Sequence, residues 1–176
     1  MKTLLRILER AGGYRPALYL KIENPPFMAL VIEATPEPGP CGLPSISVAH
    51  YGEQNGDLMR DPEICFELSK PPLCSLALSA WYFRNDYMGV EQVSRYRDGE
   101  NYVCLPSLYE QHEQFARQWD RNLRTQGFLE AFTDTGFSRS IYGQVDSRLV
   151  RSLRSGPSPM CLRSTRLHLS TARKEQ

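Results

Sequence analysis

A chain of 176 residues, 41% hydrophobic and 23% charged, has the make-up of one globular domain with its own core; a disordered polymer and two full domains are both disfavoured. No apolar run approaches the roughly 20 residues needed to cross a bilayer, so no membrane span is expected. The net charge of +1 conceals an asymmetry: residues 147–176 hold seven of the 21 basic side chains and one of the 20 acids, leaving 14 basic and 19 acidic residues in the first 146. An acidic body argues against a globular surface built for nucleic acid, because phosphate binding needs concentrated positive charge.

The N-terminus, MKTLLRILERAGG, begins like a signal peptide, but Arg6, Glu9 and Arg10 interrupt the apolar run too early. It reads instead as an amphipathic helix from Thr3 to Ala11. Thr3 is the expected N-cap, Leu4, Leu5, Leu8 and Ala11 the stripe, and Gly12-Gly13 the stop. Strands follow. Leu18, Leu20 and Ile22 alternate in ALYLKIE, and MALVIEA (28–34) reads as a central strand beyond the Asn24-Pro25-Pro26 turn. Residues 35–44, with four prolines and two glycines, must form a loop. In SISVAHY (45–51), Ile46, Val48 and His50 share one face, and Ser45, Ser47, Ala49 and Tyr51 the other. Asn55-Gly56 is a strong hairpin signal, and Ile64, Phe66 and Leu68 alternate inward after it.

Past a loop at Lys70–Pro72, strands are expected at Leu76–Phe83, Gly89–Tyr96 and Tyr102–Leu105, joined by connections too short for parallel crossovers. Ser107 and Glu110 have the spacing of a capping box. Leu108, His112, Phe115, Ala116, Trp119 and Leu123 then mark one stripe of a long helix, which Gly127 ends, with Phe128 folding back on Leu123. The expected architecture is α+β: an antiparallel meander of about six strands packed on an N-terminal helix and a long C-terminal helix. Residues 1–136 form the single domain, and 137–176 a basic, largely irregular tail.

Five cysteines, Cys41, Cys65, Cys74, Cys104 and Cys161, include no C-x-x-C pair and no zinc spacing. They read as small buried thiols of a reducing cytoplasm. Neither a nucleophile elbow nor a phosphate-binding glycine loop occurs. Trp81, Tyr82 and Phe83 could stack on bases, but alternation sends Trp81 and Phe83 one way and Tyr82 the other. Only Arg84 supplies charge nearby, so nucleic acid is not expected on the domain and at most touches the basic tail.

The richest stretch for chemistry is 50–63: one imidazole, four carboxylates and two amides at a strand–turn–strand junction. Two readings compete with a plain structural hairpin. In the first, His50, Tyr51, Gln54, Asn55, Asp57, Asp61 and Glu63 form a binding surface for a protein or small ligand on a non-enzymatic interaction module. In the alternative, Asp57, Asp61 and Glu63 hold Mg²⁺ or Mn²⁺, with His50 as ligand or general base, in a hydrolase acting on nucleic acid or a nucleotide. No metalloenzyme spacing supports the alternative, and no cofactor is expected under the first reading. His50, on the Ile46/Val48 face, is expected to be buried and bonded to one of the turn acids. His112 and His168 have no expected partner.

The segments Asn24-Pro25-Pro26-Phe27-Met28-Ala29-Leu30-Val31-Ile32-Glu33 and Ile46-Ser47-Val48-Ala49-His50-Tyr51, and the run Gln54-Asn55-Gly56-Asp57-Leu58-Met59-Arg60-Asp61-Pro62-Glu63, resemble an uncharacterised bacterial domain-of-unknown-function family. The likeness covers residues 3–132, centres on an H-Y-x-x-Q-N-G-D-x-M-x-D-P-E string and closes on the helix holding Phe115–Asp120. It implies a bacterial, cytoplasmic setting and a link to plasmids and phages. It implies no activity and no catalytic residue.

Overall fold

The computed structural model describes residues 1–69 and 76–132, all within one compact unit, Met1–Ser140. The tail at 137–176, the loop at Lys70–Pro72, Cys74, Cys161 and His168 lie outside the described residues.

Helix α1 (Lys2–Arg10) leads into a six-stranded antiparallel sheet: β1 (Tyr19–Asn24), β2 (Phe27–Ala34), β3 (Ser45–Gln54), β4 (Asp57–Ser69), β5 (Ala77–Asn85) and β6 (Val90–Val93). Spatial order equals chain order, so the meander expected from the short connections is the observed topology. A two-stranded ribbon, β7 (Arg95–Asp98) with β8 (Asn101–Cys104), follows, and then the long helix α2 (Pro106–Thr125) and the single turn α3 (Phe128–Ala131). The run expected as one strand at Gly89–Tyr96 is two strands in two sheets. Ser94, fully buried, makes the break, with its N–H and Oγ–H both donated to the Trp81 carbonyl.

Period-2 alternation sends Leu20 and Ile22 of β1, Leu30 and Ile32 of β2, Ile46 and Val48 of β3, and Ile64 and Phe66 of β4 to one face. There they meet Leu4, Ile7 and Leu8 of α1 and Ala116, Trp119 and Leu123 of α2. The three described helices therefore belong to one layer, and the core lies between that layer and the sheet. Ala29, Val31, Glu33, Ser47, Ala49, Glu63 and Cys65 point to the other side, away from the described helices.

Neither expected helix cap forms. Thr3 is the second residue of α1 and makes no side-chain cap; the carboxylate of Asp120, on α2, accepts the N–H groups of Lys2 (2.8 Å), Thr3 (3.0 Å) and Leu4 (3.2 Å). A carboxylate at the positive end of a helix stabilises it, and here the same bonds fasten α1 to α2. Ser107 and Glu110 make no capping bond either, because Pro106, already in helical geometry, moves the cap position back to Leu105. Gly127 does end α2 in the left-handed region (φ 83°). Phe128 joins Leu123 in the core but opens α3, facing Phe27 and His50. Asp120→Ala would leave three backbone donors without an acceptor and should cost about 2 kcal/mol. Urea titration should show that loss, and Asp120→Asn should recover part of it.

A second anchor holds the 35–44 loop. Glu67, almost fully buried, accepts the Cys41 N–H through Oε1 at 2.5 Å and pairs through Oε2 with Arg95 Nη1 at 3.3 Å. Arg95 also donates to the carbonyls of Ala80 and Ser79 and stacks over Tyr109 of α2. Gly39 has no alternative here, since a Cβ would collide with the Glu67 side chain.

Candidate functional site

The Asn55-Gly56 hairpin forms as its sequence indicates, with both residues at positive φ (54° and 89°) and Gln54 paired to Asp57. Its acids do not gather around His50. From Gln54↔Asp57 to Tyr51↔Arg60 the register is regular, and if it continued, Asp61 would face His50 and Glu63 would face Val48, all on the core side. A β-bulge intervenes: the next pair is Ala49↔Glu63, so every residue from Glu63 onward is moved by one. The shift turns Ile64 and Phe66 inward and Glu63 outward. Asp57 stays at the exposed hairpin tip, four residues from the His50 row, or about 13 Å along the strand.

The set Asp57, Asp61, Glu63 and His50, proposed above as metal ligands, is therefore divided between two faces and the tip. Among the described residues, no group of three or more His, Cys, Asp or Glu is placed to hold a metal ion.

His50 is a core residue, with its ring 5.4 Å from that of Trp119 and 5.5 Å from that of Phe128. Its Nδ1 lies 3.0 Å from the Ala29 carbonyl, which requires the proton on that nitrogen. The expected bond to a turn acid is thus made to backbone instead. Asp61 is the acid close enough to favour its charged form, yet burial outweighs that and holds the imidazole below its ordinary value. Asp61 is itself engaged, accepting from Asn85 Nδ2 at 2.8 Å. His112, buried on α2 against Phe83, has its Nε2 3.4 Å from Gln92 Oε1; its Nδ1 has no hydrogen-bond partner among the described residues. Both imidazoles are neutral packing groups in this arrangement.

Charge chemistry concentrates on the face opposite the described helices. Glu63 accepts from Ser47 Oγ (2.6 Å) and lies 2.7 Å from Arg60 Nε, an ion-pair contact rather than an aligned hydrogen bond. Asp86 accepts from the Arg60 N–H (2.8 Å) and pairs with Arg84 at 2.6 Å. Tyr82 donates to Glu91, and burial together with that bond pushes its phenol up to about 12. Trp81 sits in a second bulge, between Ala80 and Tyr82, and its indole N–H reaches Ser45 Oγ at 3.1 Å. It therefore turns to the side of Tyr82, whereas Phe83 packs under α2, so the expected pairing of Trp81 with Phe83 does not hold.

Beside this network runs an open groove of about 640 Å³. Ala29 and Val31 of β2 form its floor, Tyr19 of β1 and Tyr51 of β3 its walls, and Leu58 of β4, 70% exposed, its far end. Glu33 lines the near end. It is half-buried and has no hydrogen bond or ion pair among the described residues; burial and the neighbouring Glu63 raise its carboxyl above the ordinary value, against the pull of Arg60. Of the seven residues read from sequence as a binding surface, Tyr51 alone lines this groove. Glu33, Tyr19 and Leu58, which also line it, are not among those seven.

Residues 2–129 match the family described as Domain of unknown function (DUF6908). The chain belongs to that family. No curated protein and no solved structure matches it.

The histidines of this DUF6908 domain make its stability pH-dependent in a defined direction. Burial lowers both imidazoles in the folded state, so the unfolded chain takes up protons first as pH falls. Their contribution is complete above the ordinary value of 6.5 and is lost as pH drops from there toward the lowered folded values. Unfolding free energy measured from pH 8 to 5 should be level at first and then decline. His112→Phe should flatten the decline.

Proposed function

We propose that the DUF6908 domain is a non-enzymatic binding module whose working surface is the face of its sheet opposite the described helices. The observation that carries this reading is the open groove on that face, with aromatic and aliphatic side chains exposed along it. A face of this kind is costly to leave in water and serves recognition more often than packing. The nearby side chains are poorly suited to proton transfer: both described histidines are in the core, and Glu63 is tied to Arg60 and Ser47. Recovery of partners from host extract by the wild type, but not by a Tyr19→Asp/Leu58→Asp variant of equal stability, supports the reading. Identical partner lists end it.

We further place the module in the reducing cytoplasm of a bacterium, with an origin on a mobile element. The free thiols Cys41, Cys65 and Cys104 support the compartment. Among the described residues no helix is long and apolar enough to cross a membrane. The bacterial and mobile-element setting rests on the sequence resemblance. Metal-assisted hydrolysis has no assembled ligand set in its favour among the described residues; stoichiometric Mn²⁺ binding by calorimetry, abolished by Asp61→Ala, would restore it.

A further inference from the structure

We propose that the groove takes an extended basic segment of a partner protein, with two cationic side chains about six residues apart flanking apolar ones; this rests on the binding-module reading above. An acid stands near each end of the groove. Glu33 lines one end, and Glu53, outside the lining but directly paired with Leu58 on the same face, stands beyond the other. Neither carboxylate makes a hydrogen bond or ion pair among the described residues, unlike Glu63, Glu67, Asp86, Glu23 and Glu91. Lys21, the one cation lining the groove among the described residues, is held by Glu23 at 2.6 Å. Between the two free acids the lining is mainly apolar, with small residues on the floor, tyrosines on the walls and the mutually paired Lys21 and Glu23 along one side. Charge complementarity therefore asks for cations at the two ends and apolar side chains between them.

The length follows from strand geometry. Glu33 is level with Ser47, and Ser47 is six residues from Glu53 along β3, about 20 Å at strand rise. An extended chain covers that span in about six residues, and an even interval keeps both cations and the apolar residues between them on one side. A helix would need about 13 residues and would project a body wider than the gap between neighbouring strands. The groove is open along its length rather than enclosed, whereas small-ligand pockets bury most of their ligand. Tyr19 and Tyr51, which line the groove, also supply aromatic rings for an arriving guanidinium.

The probe is a fluorescent peptide, Arg-Ser-Leu-Ser-Leu-Ser-Arg, titrated by anisotropy with the full chain at low salt. Its controls are the same peptide with Glu for Arg, and one with the two arginines adjacent. The expected result is saturable binding of the first peptide alone, weakened about three-fold by Glu33→Gln and by Glu53→Gln, about ten-fold by both, and reduced by salt. Both positions are partly or fully exposed, so these variants should fold normally; thermal unfolding checks that. Equal binding of the acidic control, indifference to both glutamine variants, or no binding by the wild type overturns the proposal. If the peptide fails while the Tyr19→Asp/Leu58→Asp variant still loses a partner from extract, the basic-segment inference falls and the binding-module reading stands. If that variant loses nothing, the face itself is wrong.

Discussion

Glu67→Ala will remove about 3–5 kcal/mol of folding stability, the largest loss expected from any surface-to-core polar substitution in the domain. The reason is what remains behind. Arg95 is 6% exposed and its guanidinium would be left buried with no counter-charge, although its bonds to the Ala80 and Ser79 carbonyls would persist. The Cys41 N–H would lose its acceptor at the same time, and with it the contact that seats the 35–44 loop on β4. The partner experiment separates these effects. Glu67→Ala combined with Arg95→Met removes the orphaned charge and should recover part of the loss, because a buried pair replaced by apolar groups is often near neutral. Chemical denaturation of the two single variants and the double variant measures this directly. If Glu67→Ala costs less than about 1 kcal/mol, the value of an ordinary exposed pair, the anchor has been misjudged.

None of that anchor was legible in the sequence. Glu67 and Arg95 are 28 positions apart, on strands in different sheets, and their contact depends on the ribbon β7–β8 folding back, which a two-residue period cannot encode. What was legible was local. The Asn55-Gly56 turn, the stop at Gly127 and the inward residues of β1, β3 and β4 all follow from backbone preference or alternation within a few residues. The failures are equally physical. Asp120 displaced Thr3 as the cap of α1 because a carboxylate on a packed neighbour can reach three donors, whereas a side-chain cap serves one or two. The candidate metal set came apart for a single reason, the bulge opposite His50. Uninterrupted alternation puts Asp57, Asp61 and Glu63 on the His50 side; one extra residue in β4 sends Glu63 to the other side, and nothing in the string Arg60-Asp61-Pro62-Glu63 announces where the extra residue falls except the need to keep Ile64 and Phe66 in the core. The groove was missed for the opposite reason. Its residues come from four strands, and each looks ordinary in its own segment.

Phe128→Ala should be almost as damaging, by about 3–5 kcal/mol, and it carries a second readout that a plain cavity would not. Phe128 is fully buried, opens the single turn α3, and touches both Phe27 at the β1–β2 turn and the ring of His50. Removing it deletes the larger of the two buried core contacts of α3 and exposes one side of the imidazole. Water admitted there relieves the desolvation that holds His50 low, so the His50 value should move up toward 6.5. That reverses part of the acid sensitivity: less of the difference between folded and unfolded states remains to be lost on protonation. Phe128→Leu, which keeps most of the apolar volume, should cost about 1 kcal/mol and leave the imidazole where it is. Denaturant titration gives the stability change and proton NMR of the His50 ring gives the titration. A large stability loss with an unmoved His50 would mean that Trp119 alone keeps water from the ring, and that α3 contributes packing without shaping the electrostatics of the histidine beneath it.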